Sequence, residues 1–152
     1  MSVRAIAVTI ARWYLDTLVS VANQYLGAIE LRIPYNIAVV DSGGGLIAHV
    51  RMDGAWLGSV DIAINKAWTA RAFDTSTEDL ASLTQSGQQG FGLNTTNDSR
   101  VVIFGGGIPV VIDQTIVGAV GTSAGTVEQD IAVAEAAIAA LSKEKDLGLP
   151  KR

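Results

Sequence analysis

The stretch Arg51-Met52-Asp53-Gly54-Ala55-Trp56-Leu57-Gly58-Ser59-Val60-Asp61-Ile62-Ala63-Ile64-Asn65-Lys66-Ala67 decides the fold. It opens at the end of an apolar run, Leu46 to Met52, passes a charged loop bounded by Gly54 and Gly58, and ends in residues of helical character. Ser59 is a predicted N-cap for a helix from Val60 to about Phe73, with Asp61 in the first turn, where the helix dipole favours an anion. A strand therefore feeds a short loop and then a helix that carries a lysine. Loops held on rigid elements are where sites concentrate.

Upstream, Tyr35 to Asp41 is a β-branched-rich run behind Pro34, and Ser42-Gly43-Gly44-Gly45 turns it into the run Leu46 to Met52, a β-hairpin. Further upstream, from about residue 3 to 30, Ile6, Ile10, Trp13, Tyr14, Leu18, Val21, Tyr25 and Ile29 recur at steps of three and four, which predicts a long amphipathic first helix. Downstream, Thr75-x-x-Glu78 reads as a capping box for a short helix from about Thr77 to Thr84. The polar, Gly- and Asn-rich segment Gln85 to Arg100 is expected to be a long surface loop. Val101 to Phe104, Pro109 to Ile112 and Ile116 to Val120 read as three short strands, the last two joined at Asp113-Gln114-Thr115. Thr126-Val127-Glu128-Gln129 is a second capping box, and Ile131, Ala134, Ile138 and Leu141 stripe a closing helix; the charged tail from 143 to 152 is expected to fray. Strands that come in hairpins predict an α+β layered domain with a largely antiparallel sheet of five strands.

The 152 residues, 49% of them hydrophobic, make a single domain able to bury a core without staples. The chain has no cysteine and one histidine, His49, so disulfides, thiolate chemistry and a multi-His metal site within one chain are excluded. A net charge of −4 without a Lys/Arg cluster argues against nucleic acid. The N-terminal apolar run is broken by Arg12 and reads as helix rather than signal peptide, and no window approaches the roughly 18 apolar residues of a membrane span. The expectation is a cytoplasmic protein whose partners are a small molecule and further copies of itself.

Lys66 is the least ordinary charge, because its helical neighbours Ile62, Ala63, Thr69 and Ala70 are largely apolar. It is a candidate to bind an anionic ligand, to pair with Asp41, to form a Schiff base, or to snorkel to water. Methionine in its place is expected to abolish ligand binding or turnover while leaving the melting temperature nearly unchanged or higher, because the apolar surroundings penalise the charge. On the second strand Ile47, His49 and Arg51 are expected to share a face. Arg51 is placed to bind a carboxylate or pair with Asp53, and Asp41, Asp53 and Asp61 are candidate general bases. Gly105, Gly106 and Gly107 lie between strands, where a ligand or second subunit can approach a bare backbone. Gly121-Thr122-Ser123-Ala124-Gly125 matches a nucleophile elbow, but the single histidine precedes it and βα units are missing, so it reads as a tight strand-to-helix turn. Trp56 and Leu57, between Gly54 and Gly58, are expected to help join copies of the chain in a dimer or larger assembly.

Ile37 to Gly44, Arg51 to Ala55, Ser59 to Ala63 with Lys66 to Thr69, Gly105 to Pro109, Val117 to Gly121 and Glu128-Gln129-Asp130 together resemble the GlcG/HbpS-like family, also called the haem-degrading domain family. Asn94 to Gly107 is most similar to relatives associated with diol and glycerol dehydratases, including the C-terminal domain of PduO-type corrinoid adenosyltransferases. The resemblance implies a profilin-like fold, five antiparallel strands flanked by long terminal helices, and homo-oligomers. It implies three competing roles: haem binding or degradation, an accessory role in corrinoid metabolism, or a lyase on hydroxylaminobenzoates. The first helix has no histidine, which leaves His49 and Met52 as conventional axial candidates for haem. The leading expectation is an accessory protein that binds an anionic small molecule or tetrapyrrole with Arg51, Asp53, Lys66 and Gly105 to Gly107. Its rivals are a small cofactor-independent lyase or hydrolase on an aromatic or hydroxy-acid substrate, using Lys66, Asp41, Asp53 or Asp61, and a structural oligomer without catalysis.

Overall fold

The computed structural model describes residues 28–112 and 114–144. The expected first helix falls outside them except for its end, residues 28–31, which are helical and stop at Arg32 in a left-handed conformation (φ 56°). The tail beyond residue 144 also lies outside the described residues.

Strands β1 (Asn36–Asp41) and β2 (Leu46–Arg51) form the expected hairpin, and β3 (Gly107–Ile112) and β4 (Thr115–Ser123) form a second. The two join through β1 and β4 in the order β2-β1-β4-β3, every pair antiparallel. Alternation along β1 divides the core into two layers. On one face Ala38 and Val40, with Ala119 of β4, meet Ala63, Ala67 and Ala70 of helix α1 (Gly58–Ala72). On the other, Ile37 packs with Val133, and Val39, Val110 and Val120 pack with Ala134, the two helical residues coming from α3 (Val127–Glu144). Helix α2 (Thr77–Thr84) follows α1. The architecture is α+β: a four-stranded antiparallel sheet with helices on both faces.

Four expectations need correction. Val101 to Phe104 is not a strand, so the described sheet has four strands rather than five. The Val102 amide donates to Thr69 Oγ1 at 3.0 Å instead of to a ladder carbonyl, which lays the segment along α1. Helix α1 begins at Gly58 with Leu57 as its cap, because the Ser59 and Val60 amides already bond to the Trp56 and Leu57 carbonyls; Ser59 is buried inside the first turn. The cap of α2 is Ser76, whose Oγ accepts from the Asp79 amide at 3.0 Å, one residue after the expected Thr75. Finally, a register shift between Val39 and Val40 disturbs the β2 alternation, and Ile47 packs against the Val39 layer instead of sharing a face with His49. The second capping box forms as expected: the Thr126 amide bonds to Gln129 Oε1 and the Gln129 amide to Thr126 Oγ1.

Candidate functional site

Lys66 is fully buried, with 0% exposure. From α1 its ammonium donates to Asp130 Oδ2 at 2.5 Å and to the Thr122 carbonyl at 3.0 Å, so one side chain ties α1 to α3 and to the end of β4. Snorkelling is thereby ruled out, and the carboxylate it reaches is Asp130 rather than Asp41. Asp130 Oδ1 in turn accepts from the Ala124 and Gly125 amides at 3.2 and 2.9 Å, and the Thr122 hydroxyl donates to the Asp130 carbonyl at 2.6 Å. The third direction of the ammonium faces the Phe104 ring, 4.7 Å from its centroid. Burial pushes the Lys66 ammonium below its ordinary range, and the Asp130 charge opposes that shift.

Tyr35 closes the cluster. Its buried hydroxyl has no well-formed hydrogen bond, and burial, reinforced by the negative charge of Asp130, holds the phenol protonated far above its ordinary range. A raised folded-state pKa contributes stability that is intact below about pH 10, where tyrosine titrates in the unfolded chain, and that is lost as pH rises beyond it. Tyr35→Phe removes an unsatisfied buried hydroxyl. It should leave stability at pH 7 equal to wild type or higher by roughly 1 kcal/mol, with the margin widening above pH 10. Urea midpoints at pH 7 and pH 10.5 test this; a loss at pH 7 would mean that the hydroxyl bonds Asp130.

The glycine run is explained by the same pair. A Cβ on Gly106 (φ +112°) would lie 2.8 Å from both Lys66 Nζ and Asp130 Cβ, and one on Gly105 would lie 2.7 Å from Ile131 Cδ1. A Cβ on Gly107 would fall on the Lys66 carbonyl. All three glycines are buried, so the close approach they permit is made by this chain's own α1 and α3, and the flat open strand face expected for a second subunit is filled from within.

The remaining candidates are not drawn into this cluster. Asp41 Oδ1 accepts from the Gly43 and Gly45 amides, both at 2.8 Å, and closes the first hairpin. Arg51 does not pair with Asp53; its Nε and Nη2 hold the Ala55 carbonyl at 3.0 and 2.7 Å, while Asp53 is exposed. Asp61 accepts from Asn65, whose Oδ1 takes the Arg100 Nε at 3.0 Å, and the Arg100 guanidinium stacks 4.5 Å from the Trp68 ring. His49 Nε2 is buried without a partner, and burial lowers the histidine below its ordinary range; Met52 Sδ accepts the Tyr35 amide. Among the described residues no cluster of acids and histidine is arranged to hold a metal ion. No helix among them is long and apolar enough to cross a membrane.

Sequence reasoning missed Asp130, Tyr35, Thr122 and Phe104. One signal was available: Asp130, Val133, Ala134 and Ala137 are all buried and spaced i, i+3, i+4, i+7, which puts an acid on the inward face of α3 as the natural counterpart of an inward lysine.

The family profile described as "Haem degrading protein HbpS-like" matches residues 15–139. The chain belongs to the HbpS-like family. A 15.0 kDa protein of the dhaT-dhaS intergenic region of Citrobacter freundii is 44% identical over 116 residues, 76% of this chain and 82% of that protein. The corrinoid adenosyltransferase PduO of the same organism is 42% identical over 76% of this HbpS-like chain, which matches only 34% of the longer protein. Among solved structures, the PduOC:heme complex superposes with a TM-score of 0.82 at 36% identity, over 84% of this chain and 92% of that one.

Proposed function

We propose that this HbpS-like protein is an oligomeric, cytoplasmic accessory protein of a catabolic pathway that binds a tetrapyrrole of the haem or corrinoid class. The observation that carries the reading is the likeness to the PduOC:heme complex along nearly the whole of that chain. The described residues do not offer a ready axial ligand, since His49 Nε2 is buried and Met52 Sδ is already bonded. Among the described residues, a bound haem relies on apolar and charged contacts rather than on His49 Nε2 or Met52 Sδ. Hemin titration followed by absorbance should give a weak, broad Soret change without a bis-histidine signature. A tight low-spin complex that survives His49→Ala would overturn this mode of binding, and no saturable hemin binding would overturn the function.

The assembly rests on a separate observation. Trp56 and Leu57 are 73% and 74% exposed, yet the loop that carries them is clamped: Asn36 Nδ2 holds the Trp56 carbonyl at 3.0 Å and Arg51 holds that of Ala55. A loop whose backbone is already held loses little entropy on docking. Burying both is worth roughly 3–6 kcal/mol by area before association entropy is subtracted. Wild type should elute as a dimer or larger, and Trp56→Glu should shift it towards smaller species. A monomeric wild type at micromolar concentration by light scattering refutes the assembly.

A second reading, a cofactor-independent lyase or hydrolase, is favoured by the buried Lys66–Asp130 pair beside Tyr35, since enzymes arrange such groups to tune proton transfer.

A further inference from the structure

The Lys66 ammonium has three N–H donors, and among the described residues two of them meet oxygen, on Asp130 and on the Thr122 carbonyl. The third meets the π face of Phe104, a weaker acceptor than any oxygen in a buried site. Phe104 touches this cation and also reaches the surface, for Lys66 is fully buried while Phe104 is 41% exposed. We propose that Phe104 occupies the place of a ligand oxygen, and that its ring turns outward to admit a neutral carbonyl compound, an aldehyde, ketone or amide with an apolar body, onto Lys66 Nζ.

Two features of the geometry define this site. The first is how it opens. The backbone on either side of Phe104 is held: the Val102 amide donates to Thr69 Oγ1 at 3.0 Å and the Arg100 carbonyl accepts from that hydroxyl at 3.5 Å, while Gly105 and Gly106 have no room even for a methyl group. A hinge movement of the strap is thus opposed by packing, whereas rotation of one partly exposed side chain is fast and disturbs no hydrogen bond. Val127 and Ile131, which close over Gly105, supply apolar surface beside the opening.

The second is the charge of the ligand. Lys66 and Asp130 form a neutral pair in a dry place, so a carboxylate added there would leave one net negative charge buried and uncompensated. A neutral oxygen meets the free N–H at no such cost. This reverses the expectation that Lys66 takes an anion, and it is independent of whether hemin binds elsewhere on the protein.

Acetophenone and benzoate are suitable probes because they share a phenyl body and differ in charge. Phe104→Ala keeps the Lys66–Asp130 pair and removes the ring. In amide-resolved NMR titrations this variant should bind acetophenone at least about tenfold more tightly than benzoate, because both offer an oxygen to the free N–H but only benzoate adds an uncompensated buried charge. The shifts should centre on Gly105, Gly106 and Thr122, and wild type should show the same preference with weaker affinity because its own ring must be displaced. Phe104→Leu, which keeps an apolar cover, should fall between the two and serves if the alanine variant does not fold. Equal or tighter binding of benzoate, or acetophenone shifts that leave Gly106 and Thr122 unmoved, would overturn the proposal.

Discussion

Lys66→Met should lower the stability of the protein by about 3–5 kcal/mol, even though methionine fits an apolar site better than lysine does. The cost arises at the partner. With the ammonium gone, Asp130, whose side chain is only 5% exposed, keeps a carboxylate in the interior with two backbone amides and no counter-charge. The Thr122 carbonyl loses its donor at the same time. Adding Asp130→Asn removes the stranded charge and leaves an oxygen for the Ala124 and Gly125 amides, so Lys66→Met/Asp130→Asn should recover most of the loss, to within roughly 1–2 kcal/mol of wild type. Urea unfolding of the two single variants and the double variant gives the coupling directly. A single Lys66→Met variant as stable as wild type would show that the pair is not formed in solution.

This reverses what the sequence around Lys66 suggests. Ile62, Ala63, Thr69 and Ala70 correctly mark an apolar setting, and helical spacing alone places the lysine inward. The partner is 64 residues away on another helix, and nothing local announces it. Asp130 stands in the Glu128-Gln129-Asp130 run behind a capping box, in phase with Val133, Ala134 and Ala137; its inward direction depends on that helical phase, which differs by one residue from the stripe read through Ile131. The hairpins, α1, α2 and α3 were all legible, because period and turn residues are local properties. The Val101 to Phe104 segment was not, because its apolar residues follow a strand pattern while its hydrogen bonds are decided by Thr69 on a neighbouring helix. Gly105 to Gly107 were recognised as a place of close approach, but the sequence does not say what approaches. The structure fills the space with Lys66, Asp130 and Ile131.

The same logic makes Gly121→Ala the most disruptive methyl group that can be added to the sheet. Gly121 lies in β4, opposite Ala38 on one side and Gly107 on the other, directly beneath α1. A Cβ there would fall onto the Ala63 carbonyl oxygen and come within 2.5 Å of the Ala67 amide nitrogen, both of them helix backbone that no rotamer change can move aside. Relief requires α1 to lift off the sheet as a unit. That would loosen the Ala63, Ala67 and Ala70 layer and pull Lys66, one residue from Ala67, away from Asp130. Overpacking of a tight core ordinarily costs about 1–3 kcal/mol, and the coupled strain on the ion pair should carry this variant to the upper end of that range or beyond it. Gly87→Ala is the control: its site has open space and a positive φ of 86°, so it probes backbone strain without a clash and should cost only about 1–2 kcal/mol. Thermal and urea unfolding of the two variants tests the argument, and a Gly121→Ala protein no less stable than Gly87→Ala would show that α1 does not rest on β4 as closely as described.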